Sequence, residues 1–159
     1  MGKLLAAVLL AASMVVSASA QDLIAARGFV AGLYVRKTND RYFNYSSPRI
    51  LTADLYALVQ DGGAALGYDP LCQCRNNDGL SAQILSVSGN NKQAIARVLL
   101  RFDADKIAPS QRVTLVLTRA SLAGWKVADI QSARIPSLKA WLVRRQSGAG
   151  RAAGIARAQ

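Results

Sequence analysis

The chain has 159 residues, with 20 Lys and Arg, nine acidic residues that are all Asp, and no His, giving a formal charge of +11 on a sequence that is 52% hydrophobic. That is one basic domain. Without imidazole there is no Ser-His-Asp or Cys-His nucleophilic site and no histidine-ligated metal.

Residues 1–20 carry Lys3, an apolar run from Leu4 to Val16, and small residues at Ala18 and Ala20. These are the three parts of a secretory signal peptide, with cleavage expected after Ala20. The apolar run is too short to span a membrane as a helix, which needs roughly 20 residues. Cleavage removes only Lys3 among the charges and leaves a chain of 139 residues carrying +10. The expected location is the periplasm, with no transmembrane segment, and export demotes nucleic acid as a partner.

Asp22 to Thr38 places Leu23, Ala26, Val30, Leu33 and Tyr34 at the spacing of a helix with one buried stripe, capped by Asp22 and ended by Asn39-Asp40. Ser47-Pro48 predicts the start of a second helix, running through Leu51, Leu55, Leu58 and Val59 to Asp61-Gly62-Gly63. Gly67 to Gly79 is dense in turn signals: Asp69-Pro70, Asn76-Asn77 and Asp78-Gly79. From there the period changes to two. Leu80–Ser88, Lys92–Phe102, Arg112–Thr118 and Gly124–Gln131 read as strands, with Gly89-Asn90-Asn91 as a turn. In the second strand Ala94, Ala96, Val98, Leu100 and Phe102 share one face and Arg97 and Arg101 the other.

Pro136-Ser137 opens a short last helix through Leu138, Trp141 and Leu142. Residues 146–159 are Gly, Ala, Arg, Ser and Gln with one Ile, a composition that predicts a disordered tail. The expectation is therefore a leader (1–20), one α+β domain (21–145) and a basic tail (146–159). Two helices pack on a curved antiparallel sheet of about four strands, and a short helix closes the domain. After Ile130 there are six basic residues and no acid, so most of the positive charge belongs to the last helix and tail. Attachment of that tail to anionic lipid or wall polymers is one consequence to weigh.

Tyr34, Tyr42-Phe43, the run Tyr68-Asp69-Pro70-Leu71-Cys72-Gln73-Cys74 and the late Gly124-Trp125-Lys126-Val127-Ala128-Asp129-Ile130 followed by Ser137-Leu138 together carry a resemblance. The chain resembles a family of small exported bacterial proteins of unknown function, similar in fold to nuclear transport factor two and the cystatin-like cones. Some relatives are immunity proteins that block peptidoglycan amidases delivered into the periplasm by type VI secretion. The match covers about residues 22–143. It implies a cone-shaped fold and, as partner, a periplasmic cell-wall hydrolase. The fold hosts enzymes, binders and inhibitors alike, so it does not fix activity.

Cys72 and Cys74 are the only cysteines. They are open to three readings: a loop-locking disulfide, which an oxidising compartment favours; free or redox-active thiols; or a metal site, which needs two further ligands. Asp40, Asp61, Asp69 and Asp78 sit beside Asn, Gly or Pro, where turn chemistry explains them. Asp129 lies inside a strand near Trp125. With Tyr34 or Tyr56 it could anchor a small molecule or run acid-base chemistry in a pocket; the plainer reading is a carboxylate accepting local hydrogen bonds. Arg97, Arg101, Arg112 and Lys126 fall on the sheet's outer face.

No Gly-rich phosphate loop or Gly-x-Ser-x-Gly elbow occurs, and no cofactor is expected. The leading expectation is a non-enzymatic binder that inhibits a cell-wall amidase. Its docking loop would present Tyr68, Asp69, Pro70, Gln73, Arg75, Asn77 and Asp78. The alternative is a small-molecule-binding or pocket enzyme using Tyr34, Tyr56, Trp125 and Asp129. The partner's identity and the oligomeric state are not written in the sequence.

Overall fold

The computed structural model describes residues 18–39, 44–102, 110–121 and 124–156. Most of the expected leader, together with Asp40, Tyr42 and Phe43, lies outside these residues. The elements run α1 (Ala18–Asn39), α2 (Ala53–Gly62), a single 3-10 turn (Gly63–Leu66), β1 (Leu80–Gly89), β2 (Gln93–Phe102), β3 (Gln111–Arg119), β4 (Trp125–Ser132) and α3 (Leu138–Ala156). The four strands form one antiparallel sheet in the order β1-β2-β3-β4. The architecture is α+β, a curved sheet with helices packed against it. Among the described residues no helix is long and apolar enough to cross a membrane.

The two-residue period of the sequence translates directly into the core. Ala94, Ala96, Val98 and Leu100 of β2 and Val113, Leu115 and Leu117 of β3 are buried against the helices, while Arg97, Arg101 and Arg112 are exposed on the opposite face. The β1–β2 turn depends on Gly89, whose φ is +143°. A Cβ there would stand 2.2 Å from the Gln93 carbonyl oxygen, so no other residue fits. Asn90 completes the turn by accepting bonds from the Lys92 and Gln93 amides at 2.9 and 3.0 Å.

Along β4 the inward residues are Trp125, Val127 and Ile130 rather than a strict alternation. The register slips between Val116 and Leu117 because Ala128 is an extra residue in β4. This bulge moves Asp129 out of the core row and puts Ile130 into it.

α1 lies against the sheet through Ala26, Val30, Leu33 and Tyr34, a spacing that keeps one stripe facing inward. The helix already includes Ala18, the first described residue, so Asp22 lies within it and pairs with Arg119 instead of capping. Cleavage after Ala20 would leave α1 starting at its fourth residue.

α2 starts later than Ser47-Pro48 predicts. That pair opens a turn in which the Ile50 and Leu51 amides donate to the Ser47 carbonyl. Leu51 then bridges to Val127, with Thr52 N–H to Val127 O at 2.9 Å and Val127 N–H to Ile50 O at 2.8 Å. The outer edge of β4 captures these backbone groups, and a residue bonded to a strand cannot also enter a helix. Helix therefore waits until Ala53.

α3 extends through Ala156, past Gln146, where composition predicts disorder. Once the Leu138–Leu142 turn is nucleated by packing, the Ala and Arg residues favour continuing the helix, against a cost of about 1 kcal/mol relative to Ala at each of Gly148, Gly150 and Gly154.

Candidate functional site

The Tyr68–Gly79 loop is tied to the C-terminal half of α1. Lys37 extends the buried stripe of α1 by one more turn, and its Nζ lies 2.6 Å from Asp69 Oδ2. Tyr34 donates its phenolic hydrogen to the Leu71 carbonyl at 2.9 Å, and the Asn77 amide donates to the Lys37 carbonyl. Asp69 also accepts the Leu71 amide at 2.8 Å, the turn chemistry expected of it. Within the loop, Cys72 and Cys74 have their sulfurs 1.91 Å apart, at bonding distance. Between them Gln73 takes a positive φ of 56°, and its side chain donates to the Pro70 carbonyl at 2.6 Å. The loop is a rigid anchor rather than a free arm.

Only part of that loop is available to a partner. Pro70, Gln73 and Asn77 are buried and Tyr68 and Asp69 are partly buried, which leaves Arg75 and Asp78 as the exposed members of the predicted set. Tyr68 lies under the Arg134 guanidinium, 4.7 Å from its ring centre, and its buried hydroxyl has no hydrogen-bond partner among the described residues. Burial, followed by the nearby Asp69 carboxylate, pushes the Tyr34 and Tyr45 phenols far above their ordinary range. Both stay protonated, and Tyr34 is thereby kept as the donor to Leu71.

The four residues predicted to share a pocket are distributed instead. Tyr34 faces a groove between α1 and β1, and Trp125 lines a different groove on the other flank of α1. Tyr56 packs against the core from α2. Asp129 Oδ1 accepts the Ile130 and Lys139 amides, both at 2.9 Å. Beside it, the Ser137 hydroxyl accepts the Ala140 amide at 3.1 Å. Asp129 and Ser137 thus satisfy two of the free N–H groups at the start of α3. Leu117 is fully buried and Trp125 is 5% exposed at one end of the sheet's inner face, and Phe102 packs against the core from the far end of β2.

The two edges of the sheet are treated differently. Ile50–Thr52 pairs with the β4 edge at Val127, and Lys126 donates to the Pro48 carbonyl across the same junction. Along β1, no strand among the described residues pairs with the outer edge. The Ile84 carbonyl turns away from β2 to accept Arg27 Nη2 at 3.3 Å, and the Leu80 amide turns to the Asn77 carbonyl at 3.0 Å. Strand alternation then points the N–H and C=O of Ala82 the same way, outward.

A groove of about 590 Å³ runs beside this edge, walled by Arg27, Ala31, Tyr34 and Val35 of α1 and by Leu80–Ile84. No Lys or Pro interrupts Leu80–Gly89, so the edge lacks two common guards. A bulge at Leu85 is its one irregularity. The sequence does not say which strand lies at the edge, which is why this surface escapes a reading by motif.

Comparison of the chain with models of protein families, with curated proteins and with solved structures gave no match.

Proposed function

We propose that this chain is a non-enzymatic, exported binding domain that holds a protein partner along the β1 edge and the loop that leads into it. The observation that carries this reading is the asymmetry of the sheet: the β4 edge is paired at Val127 by Ile50–Thr52, while the β1 edge offers Ala82 backbone groups beside a groove. An extended segment of a partner would add a fifth strand there and place alternate side chains against α1. The anchored loop supports it, because a surface already ordered loses little entropy on binding. Arg75 and Asp78 are exposed in the loop that runs into β1. The alternative of a pocket enzyme loses its main residues to structural bonds, with Asp129 capping α3 and Tyr34 bonded to Leu71.

The partner implied by the resemblance is a periplasmic peptidoglycan amidase, and that is the first one to test. Purified protein added to such amidases acting on isolated peptidoglycan should slow peptide release at stoichiometric concentration. Ala82→Pro removes an outward edge donor, a change an edge strand tolerates. It should abolish inhibition while leaving the circular dichroism spectrum intact. Inhibition unchanged by Ala82→Pro and by Arg75→Glu would place the docking surface elsewhere, and failure to bind any cell-wall hydrolase would overturn the partner.

A further inference from the structure

On the flank of α1 away from β1 there is a second groove of about 590 Å³, within the size range of small-molecule sites. Its floor is α1 at Gly28 and Gly32, where an added Cβ would meet no atom within 4 Å. Phe29, Leu33 and Ile50 supply apolar wall, and Trp125 lines the far side from the start of β4.

The polar groups there are of one kind. Arg36 and Arg49 both line the groove, and neither guanidinium has a carboxylate partner among the described residues. Trp125 is 5% exposed, and its buried indole N–H has no acceptor among the described residues. A buried donor without an acceptor is uncommon, because leaving it unpaired costs stability. No Asp lines this groove. Two exposed cations set beside apolar walls ask for a ligand that brings negative charge together with an apolar body.

We propose that this groove binds an anionic amphiphile, a carboxylate or phosphate ester carried on an aliphatic chain, with Arg36 and Arg49 on the head group and Phe29, Leu33 and Trp125 against the chain. The source is either a free amphiphile or a lipid, and the chemistry is shared. This site is separate from the β1 edge, so it stands or falls independently of the proposed protein partner.

The test uses Trp125 as its own reporter. In a Trp141→Phe background, dodecanoate below its micelle concentration should shift Trp125 emission saturably. Dodecanol, acetate and inorganic phosphate at the same concentration should leave it unchanged. Arg36→Gln and Arg49→Gln should each weaken dodecanoate binding about tenfold, the scale of one lost charge-assisted bond, with melting temperature unchanged. Gly32→Leu fills the groove from an open position and favours helix; it should abolish binding while the protein stays folded. Equal binding of dodecanol, or indifference to both arginine variants, overturns the proposal. So does binding to phosphatidylglycerol vesicles that both arginine variants and Gly32→Leu leave unchanged, which marks surface adsorption only.

Discussion

Lys37 Nζ and Asp69 Oδ2 lie 2.6 Å apart, joining α1 to the cysteine loop, with side chains only 8% and 17% exposed. The attraction between them matters less than the cost of separating them, since either charge alone would be stranded away from water. Lys37→Met should therefore destabilise the fold by about 3 kcal/mol, read from urea unfolding. Adding Asp69→Asn to that variant should recover much of the loss, because no unpaired charge then remains.

The loop has several anchors besides its cysteines, and this bears on what reduction does. Thiol titration of the denatured, unreduced protein should find no free thiol, given the contact between Cys72 and Cys74 sulfurs. A bond that closes so few residues constrains the unfolded chain little. Reduction should cost about 1 to 2 kcal/mol and leave the fold standing. Two titratable thiols would contradict the pairing.

Asp129 separates the structural role from a catalytic one. With two backbone amides on its Oδ1, Asp129→Ala should lower stability by about 1 to 2 kcal/mol through the loss of capping. A carboxylate held for chemistry commonly costs stability, so its removal would raise the melting temperature instead.

Asp54 links the start of α2 to Lys139 on α3, and that hydrogen bond is the main reason its carboxyl is held down at about 2. A depressed carboxyl stabilises the fold at pH above its unfolded value near 4, and that contribution is lost as pH falls toward 2. Asp54→Asn should flatten the fall in stability between pH 4 and 2. Both side chains are about half exposed, so the effect at neutral pH should stay below about 1 kcal/mol.

The strands were legible because a half-buried strand writes its two faces as a two-residue alternation, and even the β4 bulge shows as the odd step from Val127 to Ile130. The start of α2 was not, because Ser47-Pro48 is a good helix opening locally and only the distant β4 edge diverts Leu51. Lys37 escaped notice for a related reason. A lysine three residues beyond Tyr34 reads as solvated until the loop supplies Asp69 beneath it. The loop's polar residues signalled turns correctly, but buried turns consume their own side chains, so Gln73 and Asn77 point inward instead of toward a partner.

Hydrogen exchange at the Ala82 amide, measured for the protein alone and in complex with the amidase it inhibits, tests the central claim most directly. An outward, unpaired edge amide should exchange quickly in the free protein and slow by at least about a hundredfold when a partner strand bonds to it. Protection of Ala82 already present in the free protein, or exchange that the partner leaves unchanged, would contradict docking on the β1 edge.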